Sequence, residues 1–263
     1  MHDPGLGRCL DGRGTTTAGT FTSGRAVDDA CSAGRPPVPT TCSSIDPGPR
    51  SARGHERAVK GCTSCALHEA REQPVVGDGP RDARLLIVTD VPRRHEDIHG
   101  HALAGSSRNV LDEALLHVGI DPASVRRTSV VRCRPPEDRT PTADEVATCS
   151  AHLSGELSLV SPEVIVSLGA MPTSVLLGRP VRLERVAGYR LDILGGVTLI
   201  PTFHPSEVVR GVPAASIALR RDLAVAKAVL DGRMGSGAQA RSELRSRLQQ
   251  QARRSATGPR VHA

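Results

Sequence analysis

Aromatic residues are nearly absent from this sequence. It contains no tryptophan, and its only phenylalanine and tyrosine side chains are Phe21, Tyr189 and Phe203 among 263 residues. A site that binds bases or sugars by stacking on aromatic rings therefore has little material in this chain. Lysine is just as scarce, with Lys60 and Lys227 alone, so arginine supplies nearly all of the positive charge. The formal net charge of +6 favours a polyanionic partner.

Two further absences bear on where the protein works. The sequence has no run of about 18 apolar residues, so no membrane-spanning helix and no membrane partner are predicted. No basic stretch followed by an apolar segment opens the chain, so no secretory signal is predicted either. Seven cysteines without such a signal indicate metal ligands or free thiols rather than disulfides. We therefore expect the reducing environment of the cytoplasm.

Composition divides the chain into three parts. Residues 1–53 are rich in Gly, Thr, Ser, Pro and Arg and lack helical or strand periodicity, which predicts a disordered N-terminal extension. Residues 234–263 are rich in Arg and Gln with few apolar residues, which predicts a basic, disordered tail. Residues 54–233 carry the periodic patterns of one folded domain.

Apolar runs and helical periodicities alternate within this domain. A continuous apolar run predicts a strand buried on both faces at Leu85–Val88, and a further buried strand is predicted at Val164–Leu168. The other predicted elements, in chain order, are a short helix after Cys65, a helix over Ser107–Val118, a strand over Thr128–Val131, a helix capped by Thr142 and Glu145 that runs to Leu159, a helix over Ala170–Leu177, a strand pair turned at Gly195 and Gly196 and ending at Thr202, and a helix over Ala214–Leu230 with Arg220, Arg221 and Asp222 facing solvent. This alternation predicts an α/β fold, a three-layer α/β/α sandwich with a mostly parallel central sheet.

The first of these strands ends just before Asp90. Functional side chains of open parallel sheets collect at the carboxyl ends of the strands, so Asp90 is a candidate catalytic carboxylate. The alternative is that Asp90 only caps the next turn or helix. The polar segment after Pro92 is predicted to be a loop, and its histidines are expected to line solvent rather than to hold a metal: His95, His99 and His101.

Four of the cysteines lie in the predicted domain. Cys62 and Cys65 form a C-x2-C pair, Cys133 follows a predicted strand, and Cys149 lies on a predicted helix. Four thiolates suit tetrahedral zinc or an iron–sulfur cluster, and the spacing does not choose between them. The alternative is that Cys133 and Cys149 are small buried apolar residues and only the C-x2-C pair has a ligand role.

Several motifs follow one another along the domain. They are G-C-T-S-C-A-L-H around the C-x2-C pair, G-D-G-P-R-D-A-R-L-L-I-V before Asp90, V-V-R-C-R-P-P-E-D-R-T-P through Cys133, and T-F-H-P-S-E-V-V-R around His204. With these motifs in this order, the chain from Gly61 to about Arg233 resembles the family-four uracil-DNA glycosylases, the iron–sulfur members of their superfamily. The resemblance implies a base-excision repair enzyme that hydrolyses the N-glycosidic bond of uracil, or a related deaminated base, in DNA. It also implies a monomer, associated with the nucleoid, whose partner is DNA with the damaged base flipped out.

The resemblance implies roles for individual residues. His204 matches the histidine that hydrogen-bonds the uracil carbonyl as negative charge builds there, and Asp90 stands where the family usually has a glutamate. Ser206 and Arg210 are expected to contact phosphate, and Pro205–Val209 is expected to be a loop that presses into the duplex. The implied ligands of a structural [4Fe-4S] cluster are Cys62, Cys65, Cys133 and Cys149.

The base pocket departs from the family pattern. Its expected residues are Thr89, Val91, Pro92, Leu103 and Ser129. Thr89 and Arg93 replace two family glycines, which narrows the approach of the backbone to the base. Leu103 replaces a phenylalanine that stacks on uracil, so it covers a base with less area. Ser129 replaces the asparagine that reads uracil, and a hydroxyl makes fewer hydrogen bonds than an amide.

Three functions are compatible with these residues. The first is an active glycosylase, which His204 and Asp90 favour. The second is a homologue that binds DNA but catalyses weakly or not at all, which the basic tail and the altered pocket favour. The third is a metal-stabilised protein without a nucleic-acid partner, which salt-dependent DNA binding would exclude. Three arginines around the Cys133 loop either follow the DNA backbone or are solvated surface charge: Arg132, Arg134 and Arg139.

Overall fold

The structure is a computed structural model that describes residues 51–193 and 196–233. The predicted extension up to residue 50 and the predicted basic tail lie outside the described residues, so both stay predictions. A helix that the sequence does not predict begins at Ala52, within the last residues of the expected extension. It forms because the Ser51 side chain accepts a hydrogen bond from the N–H of Gly54, and because its inner face buries His55 and Val59.

The central sheet has five strands in the described part of the chain. They are β1 Leu85–Thr89, β2 Arg126–Ser129, β3 Val164–Leu168, β4 Leu191–Ile193 and β5 Val197–Thr202. Their order is β2-β1-β3-β5-β4, with β2, β1, β3 and β5 parallel and β4 antiparallel to β5. The two apolar runs predicted as buried strands, β1 and β3, are fully buried along their length. The predicted strand pair is β4 and β5, and of the two glycines between them only Gly196 lies within the described residues.

Eight α-helices accompany the sheet within the described ranges. They are α1 Ala52–Lys60, α2 Leu67–Ala70, α3 Arg94–His99, α4 Gly105–His117, α5 Ala143–Val160, α6 Ala170–Leu177, α7 Pro205–Val209 and α8 Pro213–Leu230. The predicted helices at α2, α4, α5, α6 and α8 are therefore present. The predicted cap of α5 is present as well, because Thr142 Oγ1 accepts from the Glu145 N–H and the Glu145 carboxylate accepts from the Thr142 N–H.

Alternate residues of β1 divide the core into two layers. Leu85 and Ile87 belong to one apolar cluster, which they share with residues of α4 and α8 such as Leu111 and Leu219. Leu86 and Val88 point into the other cluster, which contains residues of α5 such as Leu153. Since side chains of a strand alternate between the two faces of the sheet, the two clusters lie on opposite faces. The predicted three-layer α/β/α sandwich is confirmed.

The second strand is displaced from its predicted position. The sequence predicts Thr128–Val131, but β2 begins two residues earlier, at Arg126. Its first two residues, Arg126 and Arg127, are charged, yet both are buried in the strand because a carboxylate neutralises each one. Arg126 pairs with Glu156 and Arg127 pairs with Asp112, at 2.7 and 2.6 Å.

Two segments predicted as loops are helical. The polar segment after Pro92 forms α3, because the Glu96 carboxylate accepts the Arg93 N–H at its start and Gly100 adopts a left-handed conformation at its end. The segment Pro205–Val209, expected to be a loop, is the short helix α7. A candidate catalytic residue lies between each helix and the strand before it. Asp90 lies between β1 and α3, and His204 lies between β5 and α7.

The outer face of α8 also differs from its prediction. Arg220 and Arg221 are exposed as expected, but Asp222 is fully buried. The side chain of Asp222 accepts a hydrogen bond from Nε of Arg221 at 2.7 Å. A side chain at Gly188 would meet Asp222 and Arg221, so this turn leaves room for the buried carboxylate only because residue 188 is glycine.

A buried carboxylate joins α5 to the second strand and to the cysteine loop. Glu156 accepts hydrogen bonds from Arg126 Nε at 2.7 Å, Thr128 Oγ1 at 2.6 Å and Arg132 Nη2 at 2.7 Å. Burial alone would raise the pKa of Glu156, but Arg132 and Arg126 outweigh burial and hold it below its ordinary value. Arg132 is 1% exposed, so the expectation that it follows a DNA backbone is wrong.

The other two arginines of that loop are partly exposed and already paired. Arg134 Nε lies 2.7 Å from a carboxylate oxygen of Asp138, and Arg139 forms two hydrogen bonds with Glu145. Arg139 therefore also supports the capped start of α5. These pairs are compatible with the interpretation of solvated surface charge, and contact of Arg134 or Arg139 with DNA stays a prediction.

We expect the substitution Glu156→Gln to lower the free energy of unfolding by roughly 3–5 kcal/mol, because it leaves two buried guanidinium groups without a counter-charge. Chemical denaturation followed by circular dichroism measures the change. Glu207→Gln, which disturbs an exposed pair with Arg210, is the control and should have a much smaller effect. A loss of stability in Glu156→Gln no larger than in the control would contradict the structural role of this carboxylate.

A second prediction concerns acid. His55 is buried, its Nε2 has no partner among the described residues, and burial together with the charge of Arg132 lowers its pKa to about 4. An unfolded histidine titrates near 6.5. As the pH falls below about 6.5, His55 becomes protonated in the unfolded chain but stays neutral in the folded chain. The free energy of unfolding therefore decreases until about pH 4, by roughly 3 kcal/mol from this residue.

Denaturation curves between pH 7.5 and 4 test this expectation. We expect His55→Gln to have a shallower loss of stability over that range than the wild-type protein. The exposed residue His117 supplies the control substitution, His117→Gln, which should retain the wild-type slope. Parallel slopes in all three proteins would show that His55 is not the acid-sensitive group.

Candidate active site

Four polar residues meet at the carboxyl edge of the sheet. Thr89 and Ser129 end the neighbouring strands β1 and β2 and are register partners. His204 follows β5, which is separated from β1 by β3 alone. Asp90 directly follows β1. Because parallel strands end at one edge, residues more than a hundred positions apart in sequence are brought together there, as the argument from Asp90 predicts.

His204 is held by the start of α7. It is the N-cap residue of that helix, with Pro205 in the first turn, where proline needs no N–H partner. Its ring nitrogen Nδ1 accepts a hydrogen bond from the backbone N–H of Ser206 at 3.1 Å and lies 2.8 Å from the Ser206 hydroxyl. A nitrogen that accepts an N–H carries no proton, so in the neutral ring the proton is on Nε2.

Thr89 bridges His204 and Asp90. Its hydroxyl oxygen lies 3.0 Å from His204 Nε2 and 3.2 Å from Asp90 Oδ1, while Nε2 and Oδ1 themselves are 4.0 Å apart. With the proton on Nε2, the ring donates to the hydroxyl and the hydroxyl donates to the carboxylate. The Asp90 side chain thus faces the candidate catalytic histidine, and its catalytic role stays a prediction.

Charge and burial keep the imidazole neutral. Burial lowers the pKa of His204 below its ordinary value, opposed by the carboxylates of Asp90 and Glu96 and assisted by Arg210 and Arg93. The His204 side chain is 20% exposed and that of Asp90 is 33% exposed. The site thus presents a neutral N–H donor beside a carboxylate, and both are reachable from solvent.

The residues expected to form the base pocket are all buried, but their side chains have different contacts. Val91, Pro92 and Leu103 are covered, and Leu103 packs in the same core cluster as Leu85. Contact of Leu103 with a base therefore stays a prediction. The hydroxyl of Ser129 is fully buried and has no hydrogen-bond partner among the described residues. A buried hydroxyl without a partner is an available donor or acceptor at this edge.

The residues expected to contact phosphate lie on α7 and just after it. Ser206 is engaged with His204, and Arg210 is exposed and paired with Glu207 at 2.7 Å. Neither contact excludes phosphate binding, which stays a prediction for both. Sequence reasoning did not identify the role of Glu96, whose carboxylate accepts the N–H groups of Arg93 and Ala104 and so fixes the segment that follows Asp90.

The four cysteines of the domain line one pocket. The lining residues include Cys62, Cys65, Cys133, Cys149, Arg71 and His152. Arg71 was not singled out from sequence, and no spacing marks it. Its guanidinium donates to Cys133 Sγ at 3.0 Å, to the Cys62 carbonyl at 2.9 Å and to the Lys60 carbonyl at 3.2 Å. The backbone N–H of Arg132 donates to Cys149 Sγ at 3.3 Å.

Burial shapes the acidity of these thiols. It raises the pKa of Cys149 to about 11, and it raises the pKa of Cys133 as well, although Arg71 acts in the opposite direction. Across residues 51–193 and 196–233, no group of three or more His, Cys, Asp or Glu side chains is arranged to hold a metal ion. Metal binding requires these thiols to lose their protons, which the raised pKa values of Cys149 and Cys133 oppose.

The histidines after Asp90 are exposed side chains on α3 and just after it. His95 and His99 lie on α3 with their rings stacked at a centroid distance of 6.5 Å, and His99 Nδ1 is 2.7 Å from the His95 carbonyl oxygen. With His101 they are exposed to solvent, as the sequence predicts, although two of them are helical.

Among the described helices, none is long and apolar enough to cross a membrane.

Similarity to known proteins supports this site. Residues 76–224 match the model of the Uracil DNA glycosylase superfamily. The chain is 42% identical over 153 residues to a type-4 uracil-DNA glycosylase of Thermotoga maritima, an alignment that covers 58% of this chain and 80% of that protein. It is 34% identical over 174 residues to a type-4 uracil-DNA glycosylase of Pyrobaculum aerophilum, covering 64% of this chain and 88% of the relative.

A third relative extends the comparison. The chain is 32% identical over 160 residues to a type-4 uracil-DNA glycosylase of Archaeoglobus fulgidus, covering 58% of this chain and 80% of that protein. The region that matches the family model, residues 76–224, contains the whole edge at which Thr89, Asp90, Ser129 and His204 meet. The chain belongs to the uracil DNA glycosylase superfamily and, within it, to the type-4 uracil-DNA glycosylases.

Proposed function

We propose that this protein is a DNA glycosylase of base-excision repair that hydrolyses the bond between uracil, or a related deaminated base, and deoxyribose. The observation that carries the proposal is the neutral imidazole of His204, whose Nε2–H faces the carboxylate side of the site while Nδ1 is occupied by Ser206. The type-4 uracil-DNA glycosylases among its relatives support the choice of reaction.

The chemistry assigns different tasks to the two candidate catalytic residues. The base leaves as an anion, so an N–H donor such as His204 Nε2 lowers the barrier by hydrogen-bonding the base oxygen on which charge develops. The sugar passes through a state with positive charge, which the carboxylate of Asp90 stabilises. Both tasks require a base flipped out of the stack. The Ser129 hydroxyl has no hydrogen-bond partner among the described residues, and because it is fully buried, its neighbours have to move before it can bind the polar edge of that base.

The cysteine pocket fits an iron–sulfur cluster. The donor set consists of four thiols, and two N–H donors already point at the sulfurs of Cys133 and Cys149, as cluster sulfurs require. Four thiolates suit a single zinc ion as well. The resemblance to the iron–sulfur members of the superfamily is what favours the cluster. When bound, the cluster would act as a structural link and would take no part in bond cleavage.

The extent of the catalytic unit is also a proposal. Since α1 buries its inner face and contacts α5, we take the folded domain to begin at Ser51 rather than at residue 54, and to end at residue 233. Its partner is DNA, which its superfamily acts on, and the positive net charge favours that partner. We further propose that it works as a monomer at the nucleoid.

One observation favours a second candidate function, a DNA-binding homologue with weak catalysis. The hydroxyl of Thr89, at a position where the family has glycine, already occupies the Nε2 donor of His204. A substrate has to replace this internal bond before His204 can assist the reaction. Base release and DNA binding, measured on the same protein, distinguish the two functions.

The first test is base release from labelled oligonucleotides that carry uracil, hypoxanthine or xanthine, single-stranded and paired. We expect release of at least one base, and we expect His204→Ala to lower its rate roughly 10²–10³-fold, because one donor to the developing anion is lost. His117→Ala, at the exposed end of α4, is the control and should match the wild-type protein. Absence of release from a protein that binds DNA would favour the second function.

The pH dependence adds a check on the role of His204. Burial lowers the pKa of His204, so the neutral donor predominates at pH 7 and above. Activity should therefore be level there and should fall only as the pH drops below the ordinary histidine range of about 6.5.

A separate prediction concerns the cluster. The purified protein should contain about four iron atoms and acid-labile sulfide in each chain, with the broad visible absorption of iron–sulfur proteins. Cys149→Ser should abolish both signals, since it removes one of the four thiols that line the pocket. Cys31→Ser lies outside the described residues and outside the C-x2-C motif, and it serves as the control. One zinc ion per chain without sulfide would overturn the assignment.

A further inference from the structure

The bond between Thr89 and His204 has a consequence for ligand binding. Thr89 is 1% exposed, and its backbone is fixed in the sheet by the register with Ser129 and by the hydrogen bond from the Val130 N–H to its carbonyl. Its hydroxyl is therefore held in one place relative to β1. The hydroxyl reaches His204 Nε2 at 3.0 Å although 115 residues separate the two in sequence.

His204 has only one proton to donate. Because Nδ1 accepts from Ser206, the Nε2–H is the single donor of the neutral ring. In this structure it donates to the Thr89 hydroxyl. The Thr89 hydroxyl can accept that bond because it passes its own proton to Asp90 Oδ1. The closed chain of hydrogen bonds leaves no unpaired donor among these three side chains.

We propose that the Thr89 hydroxyl is an internal competitor of the substrate, which occupies the position on His204 Nε2 that a carbonyl oxygen of the excised base must take. The inference rests on the proposed function, because it takes a deaminated base with a carbonyl oxygen as the ligand. Thr89 thereby sets how strongly the site binds such a base. Binding exchanges one hydrogen bond of Nε2 for another, so the net gain from His204 is small.

Two substitutions separate the hydroxyl from the methyl group of this residue. Thr89→Val keeps the shape of the side chain and removes the hydroxyl, so the Nε2–H of the free protein loses its protein acceptor. Thr89→Ser keeps the hydroxyl and removes the methyl group. Only a variant without the hydroxyl should gain a new hydrogen bond on binding a base. A second hydroxyl-free variant, Thr89→Ala, guards against misfolding of the first, and thermal unfolding of all variants identifies any that is not folded.

The measurement is the affinity for a single-stranded oligonucleotide that carries 2′-fluoro-2′-deoxyuridine, relative to the same oligonucleotide with thymidine. The fluorine resists cleavage because it disfavours positive charge on the sugar, so binding is measured without turnover. We expect Thr89→Val and Thr89→Ala to increase the preference for the uracil-bearing strand roughly threefold to tenfold, the range of one net hydrogen bond. Thr89→Ser should remain within twofold of the wild-type protein.

An unchanged or reduced preference in folded Thr89→Val and Thr89→Ala would overturn the inference. So would a gain in Thr89→Ser equal to that in Thr89→Val, because it would assign the effect to crowding by the methyl group. The outcome is independent of turnover. A wild-type protein that releases no base contradicts the proposed function, whereas the change in preference on removal of the hydroxyl still decides the role of Thr89.

Discussion

The buried carboxylate of Glu156 is the constraint on which the two functional regions depend. Its oxygens bind Arg126 at the start of β2, Thr128 within it and Arg132 after it, so one side chain of α5 fixes the whole length of that strand. The end of β2 delivers Ser129 to the candidate active site, and the next turn delivers Cys133 to the cysteine pocket. A helix that also carries Cys149 is thereby locked to both.

The parts of the fold that follow from local apolar patterns could be predicted from sequence. The strand β1 is built on a continuous apolar run, β3 is apolar except for Ser167, and α5 begins at a cap that its own residues define. The strand β2 was displaced because its first residues are arginines, which are buried only when a carboxylate lies opposite. That carboxylate, Glu156, is 30 residues away from Arg126, and no local pattern pairs the two. Asp222 was misassigned for the same reason, since its burial depends on a turn at Gly188.

The candidate site also has features that sequence motifs predict and features that only the fold reveals. His204, Asp90 and three of the four cysteines could be singled out because they lie in or beside motifs with fixed neighbours, whereas Cys149 completes the set by residue type alone. Their roles stay predictions. The bond between Thr89 and His204 could not, because it depends on where two strands end and on which ring nitrogen Ser206 occupies. Arg71 was missed because its contacts are with a thiol and two backbone carbonyls, which leave no trace in residue spacing.

The contacts of Arg71 make the cysteine pocket a junction between distant parts of the chain. One guanidinium holds the carbonyl of Cys62 and the thiol of Cys133, which come from the N-terminal segment and from the turn after β2. Four thiolates would bring four negative charges into this pocket, and Arg71 and the backbone of Arg132 meet them with donors that are already in position. The pocket thus joins two segments that are far apart in sequence, so a cluster could be held by all four thiols only where both segments have docked.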